Sequence, residues 1–178
     1  MKAVLLSIRP NWCKLIWSGM KTVEIRKTRP KLEPPFKCYI YCTLAGSDSL
    51  FMDVLNRDVA AWNRGGWPEK KGRVIGEFIC DDIRRIGPEY CIVKEDIETA
   101  IAGSCLSIKQ VKEYAGWDTD MNYADMKDLY GWHISDLKIY DQPRELRALT
   151  GLQSTRFGMR PVEVQRPPQS WRYVEDGR

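Results

Sequence analysis

Residues 2–26 read KAVLLSIRPNWCKLIWSGMKTVEIR, and this stretch decides the fold. Lys2–Ile8 is aliphatic and only weakly alternating, as a buried strand is. Pro10 then stands where a helix has no N–H bond to lose, and residues 11–18 place Trp12, Leu15 and Ile16 on one helical face before Gly19 closes the turn. From Lys21 to Lys27 the period changes to two. Val23 and Ile25 point one way; Thr22, Glu24 and Arg26 point the other, with Lys21 just ahead of the strand.

Downstream, residues 28–35 carry three prolines and read as an extended connection into a strand at 37–43, with Cys38, Ile40 and Cys42 on one face and Tyr39 and Tyr41 on the other. Residues 44–72 read as an insertion, with a short helix capped by Ser47 or Asp48 and ended by Gly65-Gly66. Arg73–Cys80 is the strongest strand and continues to Ile86 through a bend at Asp81-Asp82. Residues 94–130 form an acidic helical lobe: one helix over 94–102, a second capped by Ser107 and ended by Gly116, and a short third over 122–129. Trp132–Tyr140 alternates imperfectly, as a bulged strand does, and Pro143 is expected to end it. The last strand is placed at 170–174. One helix between the first two strands, without serial β-α-β alternation, disfavours a doubly wound sheet. The expectation is an α+β chain: a single domain over residues 1–178, built on a small, mostly antiparallel β-barrel decorated by helices.

No apolar run approaches the ~18 residues needed to cross a bilayer. The first residues read as a strand, not a signal peptide, so a cytoplasmic location and no membrane partner are expected. The six cysteines include no C-x-x-C and fall mostly in apolar segments, so they read as buried free thiols. Cys38 and Cys42 stand roughly 13 Å apart along a strand, too far to chelate one ion. His133 is the only histidine and reads as structural, and Asp118-Thr119-Asp120 has too few following ligands for a calcium loop. No metal and no cofactor are expected.

Charge is unevenly distributed. Residues 1–37 carry a net +7, residues 81–141 a net −6 and residues 142–178 a net +3. If the termini meet, they form a basic face suited to phosphate-bearing partners, set against an acidic lobe. Trp12 and Trp17 stand near the first basic segment, Trp171 and Tyr173 near the last, so an aromatic beside a cation can stack a base there or simply pack. The densest polar group is Lys21-Thr22-Val23-Glu24-Ile25-Arg26-Lys27. An acid flanked by two cations is either a structural ion-pair ladder or the floor of a pocket that reads a polar ligand.

Leu6-Ser7-Ile8-Arg9-Pro10, Trp12, Ile16 and Gly19-x-Lys21-Thr22-x-Glu24-x-Arg26 together resemble the signature of the ASCH domain, a relative of the PUA-like RNA-binding barrels. Val74–Phe78 and Pro168–Val174 resemble the matching strands of bacterial and phage members. The resemblance implies a cleft walled by Lys21, Glu24 and Arg26, binding RNA or a nucleotide. Arg9 and Thr22 would join this ligand site, and Trp12, Lys27, Arg29, Trp171 and Tyr173 would contact nucleic acid. Some members of similar fold hydrolyse acylated cytidine such as N4-acetylcytidine through a Lys, a Thr and an acid. Lys21 matches that Lys, but Glu24 stands where the Thr belongs, Thr22 comes two residues early, and residues 102–105 offer no acid, the nearest being Glu98. The expected function is therefore binding. The alternative is a small hydrolase with Lys21 as base or nucleophile and Glu24 beside it.

Overall fold

The computed structural model describes residues 1–44, 70–88, 94–117 and 125–177. The helix read at the 44–72 insertion, Trp62, Trp67, Cys91, Asp118-Thr119-Asp120 and the start of the third helix lie outside the described residues. The elements run β1 (Lys2–Ile8), α1 (Pro10–Trp17), β2 (Val23–Arg26), β3 (Phe36–Cys42), β4 (Arg73–Cys80), β5 (Ile83–Ile86), α2 (Lys94–Ala100), α3 (Ile108–Ala115), β6 (Leu129–His133), β7 (Ser135–Arg144), β8 (Thr150–Thr155), β9 (Gly158–Glu163) and β10 (Trp171–Glu175). Local chemistry accounts for several boundaries. Pro10 opens α1. Ser107 and Gln110 form a reciprocal capping box on α3, which Gly116 ends in the left-handed region at φ 78°.

The fold is α+β, but its strands do not close into a barrel among the described residues. Seven form one mixed sheet in the order β7-β4-β3-β1-β10-β8-β9, and three form a second in the order β2-β6-β5. Besides its excursion to β2, which leaves the large sheet after β1 and returns to it at β3, the chain changes sheets twice more, between β4 and β5 at Asp81-Asp82 and between β6 and β7 at Ile134. That double exchange draws β5 and β6 out of the large sheet and leaves its edges unjoined. At this corner His133 Nδ1 lies 2.6 Å from Asp81 Oδ1, and the imidazole holds the Asp81 carboxyl below its usual range. β1 and β3 pair in parallel, and every other pairing among the described residues is antiparallel. Pro143 does not end its strand: β7 is an edge, where a residue without an N–H is tolerated, and it runs on to Arg144. The sequence reading places no strand at the β8–β9 hairpin.

Three apolar clusters result. The first lies between the sheets and under α1, built on Leu6, Ile8, Ile40, Phe78 and Trp132. Cys13, Cys38, Cys42 and Cys80 are free and buried there, while Cys105 is exposed. Burial pushes the Cys80 thiol up to about 12. The second cluster covers the opposite face of the large sheet, and the third joins the small sheet to α2 and α3. β1 pairs with β10, so the N- and C-terminal segments do meet. Among the described residues, no helix is long and apolar enough to cross a membrane.

Candidate functional site

Glu24 and Arg26 stand on β2 opposite Trp132 and Tyr130 of β6, so alternation sends all four side chains to one face of the small sheet. Ile25 goes to the other face, into the cluster under α2 and α3. The polar face looks toward the core between the sheets, and it is buried: Lys21 is 2%, Glu24 6% and Arg26 7% exposed.

Charges so placed must be paired. Glu24 takes both cations, with Oε2 3.2 Å from Lys21 Nζ and Oε1 3.0 Å from Arg26 Nη2. Lys21 also donates to the carbonyls of Val23 at 2.8 Å and Ser104 at 2.7 Å, so each ammonium hydrogen has an acceptor. Its Nζ lies 5.0 Å from the centre of the Trp12 ring. Arg26 Nη2 donates to Ser7 O at 2.8 Å, and Nη1 reaches Ser170 Oγ at 3.3 Å. The cluster thus ties β2 to β1, to the residue before β10 and to the loop between α2 and α3. In bonding it is the ladder of the two readings left open by the sequence.

The bonding is incomplete at one point. Arg26 Nε and Trp132 Nε1 are buried N–H groups with no acceptor among the described residues. Both belong to side chains on the polar face of the small sheet. Trp132 in turn meets Phe36 edge-on, with ring centres 5.9 Å apart, and Trp171 at 6.1 Å.

The remaining residues singled out in the sequence surround this core without entering the ion cluster. Arg9 is exposed at the N-cap of α1. Thr22 is exposed, and its backbone N–H donates to Gly103 O at 2.8 Å. Lys27 and Arg29 are exposed; Lys27 Nζ sits 5.1 Å from the centre of the Tyr114 ring, and Arg29 pairs with Glu33 at 3.7 Å. Trp171 and Tyr173 are half-buried against the first core cluster and meet edge-on at 5.3 Å. Trp171 Nε1 donates to Thr28 Oγ1 at 2.9 Å, and Tyr173 Oη accepts from Lys31 N–H at 2.7 Å, so the loop after β2 is fastened over β10.

Tyr114 escaped the sequence reading. Burial pushes its hydroxyl up, an effect that the Arg26 guanidinium opposes. Its place in the last turn of α3, two residues before Gly116, is the available signal. Ser104 and Ser170 act through chain positions far from Lys21 and Arg26, which no local pattern reveals.

The comparisons agree on the fold. The ASCH protein of Zymomonas mobilis superposes with a TM-score of 0.52 at 17% identity, covering 97% of this chain and 87% of that one. Its Tyr-to-Phe variant gives 0.53 at 18% identity, covering 98% and 91%. Its Ser-to-Ala variant gives 0.51 at 17% identity, covering 97% and 88%. No protein-family model and no curated protein matches the sequence. The chain has an ASCH-type fold.

Proposed function

We propose that the chain binds a ribonucleotide, free or within an RNA strand, at the polar face of its small sheet, with Lys21, Glu24 and Arg26 as the pre-organised polar floor. The observation that carries this reading is the pair of buried donors without acceptors, Arg26 Nε and Trp132 Nε1. A buried N–H left unpaired costs ~1–3 kcal/mol. A base carbonyl or phosphate oxygen would supply the acceptor that both groups lack. Glu24 retains lone pairs for a base amino group, since each of its oxygens serves one cation. Trp12, Trp171 and Tyr173, half-buried around the same core, offer faces for stacking, and exposed Arg9, Lys27 and Arg29 supply charge for phosphates. The resemblance to ASCH domains points the same way.

The geometry favours binding over hydrolysis. Nucleophilic use of Lys21 would require it to give up one of its three acceptors. The test is a titration with the four ribonucleoside monophosphates and N4-acetylcytidine. Saturable binding of at least one of them is expected. It should weaken about tenfold in Arg26→Lys, which keeps the charge beside Glu24 but removes Nε. No deacetylation of N4-acetylcytidine is expected; turnover that vanishes in Lys21→Ala would replace this reading with the hydrolase.

A further inference from the structure

We infer that the β8–β9 hairpin is a second contact surface, for single-stranded RNA continuing out of the cleft, an inference that rests on the nucleotide reading above. Residues 153–161, QSTRFGMRP, contain two arginines and no acid. At the tip Phe157 is 86% exposed, and the Arg156 guanidinium lies 4.5 Å from the centre of its ring. A lone exposed phenylalanine carries little meaning. Its company and its position do. One ring face is held by a cation and the ring packs into no core, which is the arrangement of a platform on which a base stacks whatever its identity.

Strand register fixes where this tip stands. Val174 of β10 pairs with Gly151 of β8, antiparallel. Four residues back along β10 is Ser170, and four residues forward along β8 is Thr155, so the tip lies at the end of the sheet where Ser170 accepts from Arg26. A strand whose nucleotide sits in the cleft leaves it toward Phe157. On the sheet face turned away from the cleft, Arg172 lies over Gly151. A side chain at position 151 would come within 2.6 Å of the guanidinium, and Arg172 Nε is buried without an acceptor. Gln153 and Arg160 form the next cross-strand pair on that face. Gln153 and Arg160, both exposed, offer donors for phosphate oxygens next to the platform. A partner adding a β-strand is a poorer fit, because Pro161 interrupts the N–H row of β9, the outermost strand of this sheet.

The test compares a fluorescent single-stranded RNA of twelve nucleotides and mixed sequence with the mononucleotides, on the wild-type chain and on Arg156→Ser/Phe157→Ser/Arg160→Ser, whose three positions are all exposed. The triple variant should bind the oligonucleotide at least about tenfold more weakly, and the slope of log affinity against log salt should flatten by about 1.4, two charges at ~0.7 each. Mononucleotide affinity should not change. Phe157→Ser alone should weaken the RNA but not a polyglutamate of equal length. Wild-type affinity in the triple variant, or no binding of the RNA by the wild-type chain, overturns the inference. So does polyglutamate binding as tight as RNA binding and indifferent to Phe157, which would mark the hairpin as a surface for an acidic protein. Hairpin-dependent RNA binding without any mononucleotide binding would uphold the hairpin and refute the cleft.

Discussion

Replacing Glu24 with Gln is expected to lower the stability of the folded chain by about 3 kcal/mol, read from chemical denaturation. Among the described residues the carboxylate is the one countercharge shared by Lys21 and Arg26, at 3.2 and 3.0 Å, and all three side chains are buried. Gln leaves two cations facing one neutral amide, whose NH₂ can only oppose one of them. Neither cation can leave easily, since each also donates to backbone carbonyls. An unchanged denaturation midpoint would mean that water solvates the freed charges, and the cluster would then not be the closed, pre-organised unit described above.

Gly76→Val should cost about as much, ~3 kcal/mol, for a reason in the backbone. A Cβ on Gly76 would stand 2.5 Å from the carbonyl oxygen of Lys138 and 3.2 Å from Cα of Ile139. Backbone atoms of a paired strand cannot turn aside as the end of a side chain can. The β4–β7 pairing already shifts register around this residue. β7 is an edge strand and continuous with β6 through Ile134, so its displacement is expected to reach Trp132. Thermal unfolding and nucleotide affinity should therefore fall together; a variant that melts like wild type would show that β7 accommodates the side chain by sliding.

Much of this architecture is legible from local chemistry. Pro10, Gly19 and the period-two run at 21–27 mark β1, α1 and β2, and the Ser107–Gln110 capping box with Gly116 marks α3. The illegible parts share a physical cause. Pro143 and Pro161 argue against strands unless those strands are edges, and edge status depends on the whole sheet. The β8–β9 turn, Arg156-Phe157, lacks the Asn-Gly or Asp-Gly chemistry that announces a hairpin; only Gly158, at φ 115°, hints at it. The open pair of sheets in place of a barrel arises at two short corners, Asp81-Asp82 and Ile134, whose residues look like a simple bend and a simple bulge. At the site, alternation brought Glu24 and Arg26 to one face. It could not supply the carbonyls of Ser104 and Ser7 that complete the cation shells, nor Trp132, which reaches that face only through strand pairing.

In the nucleotide-binding reading proposed above, Arg26 Nε–H and Trp132 Nε1–H await an acceptor from the ligand. Their proton–nitrogen resonances report on that directly. In a titration with the four ribonucleoside monophosphates, both signals should shift and saturate together with at least one nucleotide, in the wild-type chain, while the hairpin Arg156 Nε–H stays in place. If no nucleotide moves either signal, the two donors are not a ligand site and the cluster serves the fold alone.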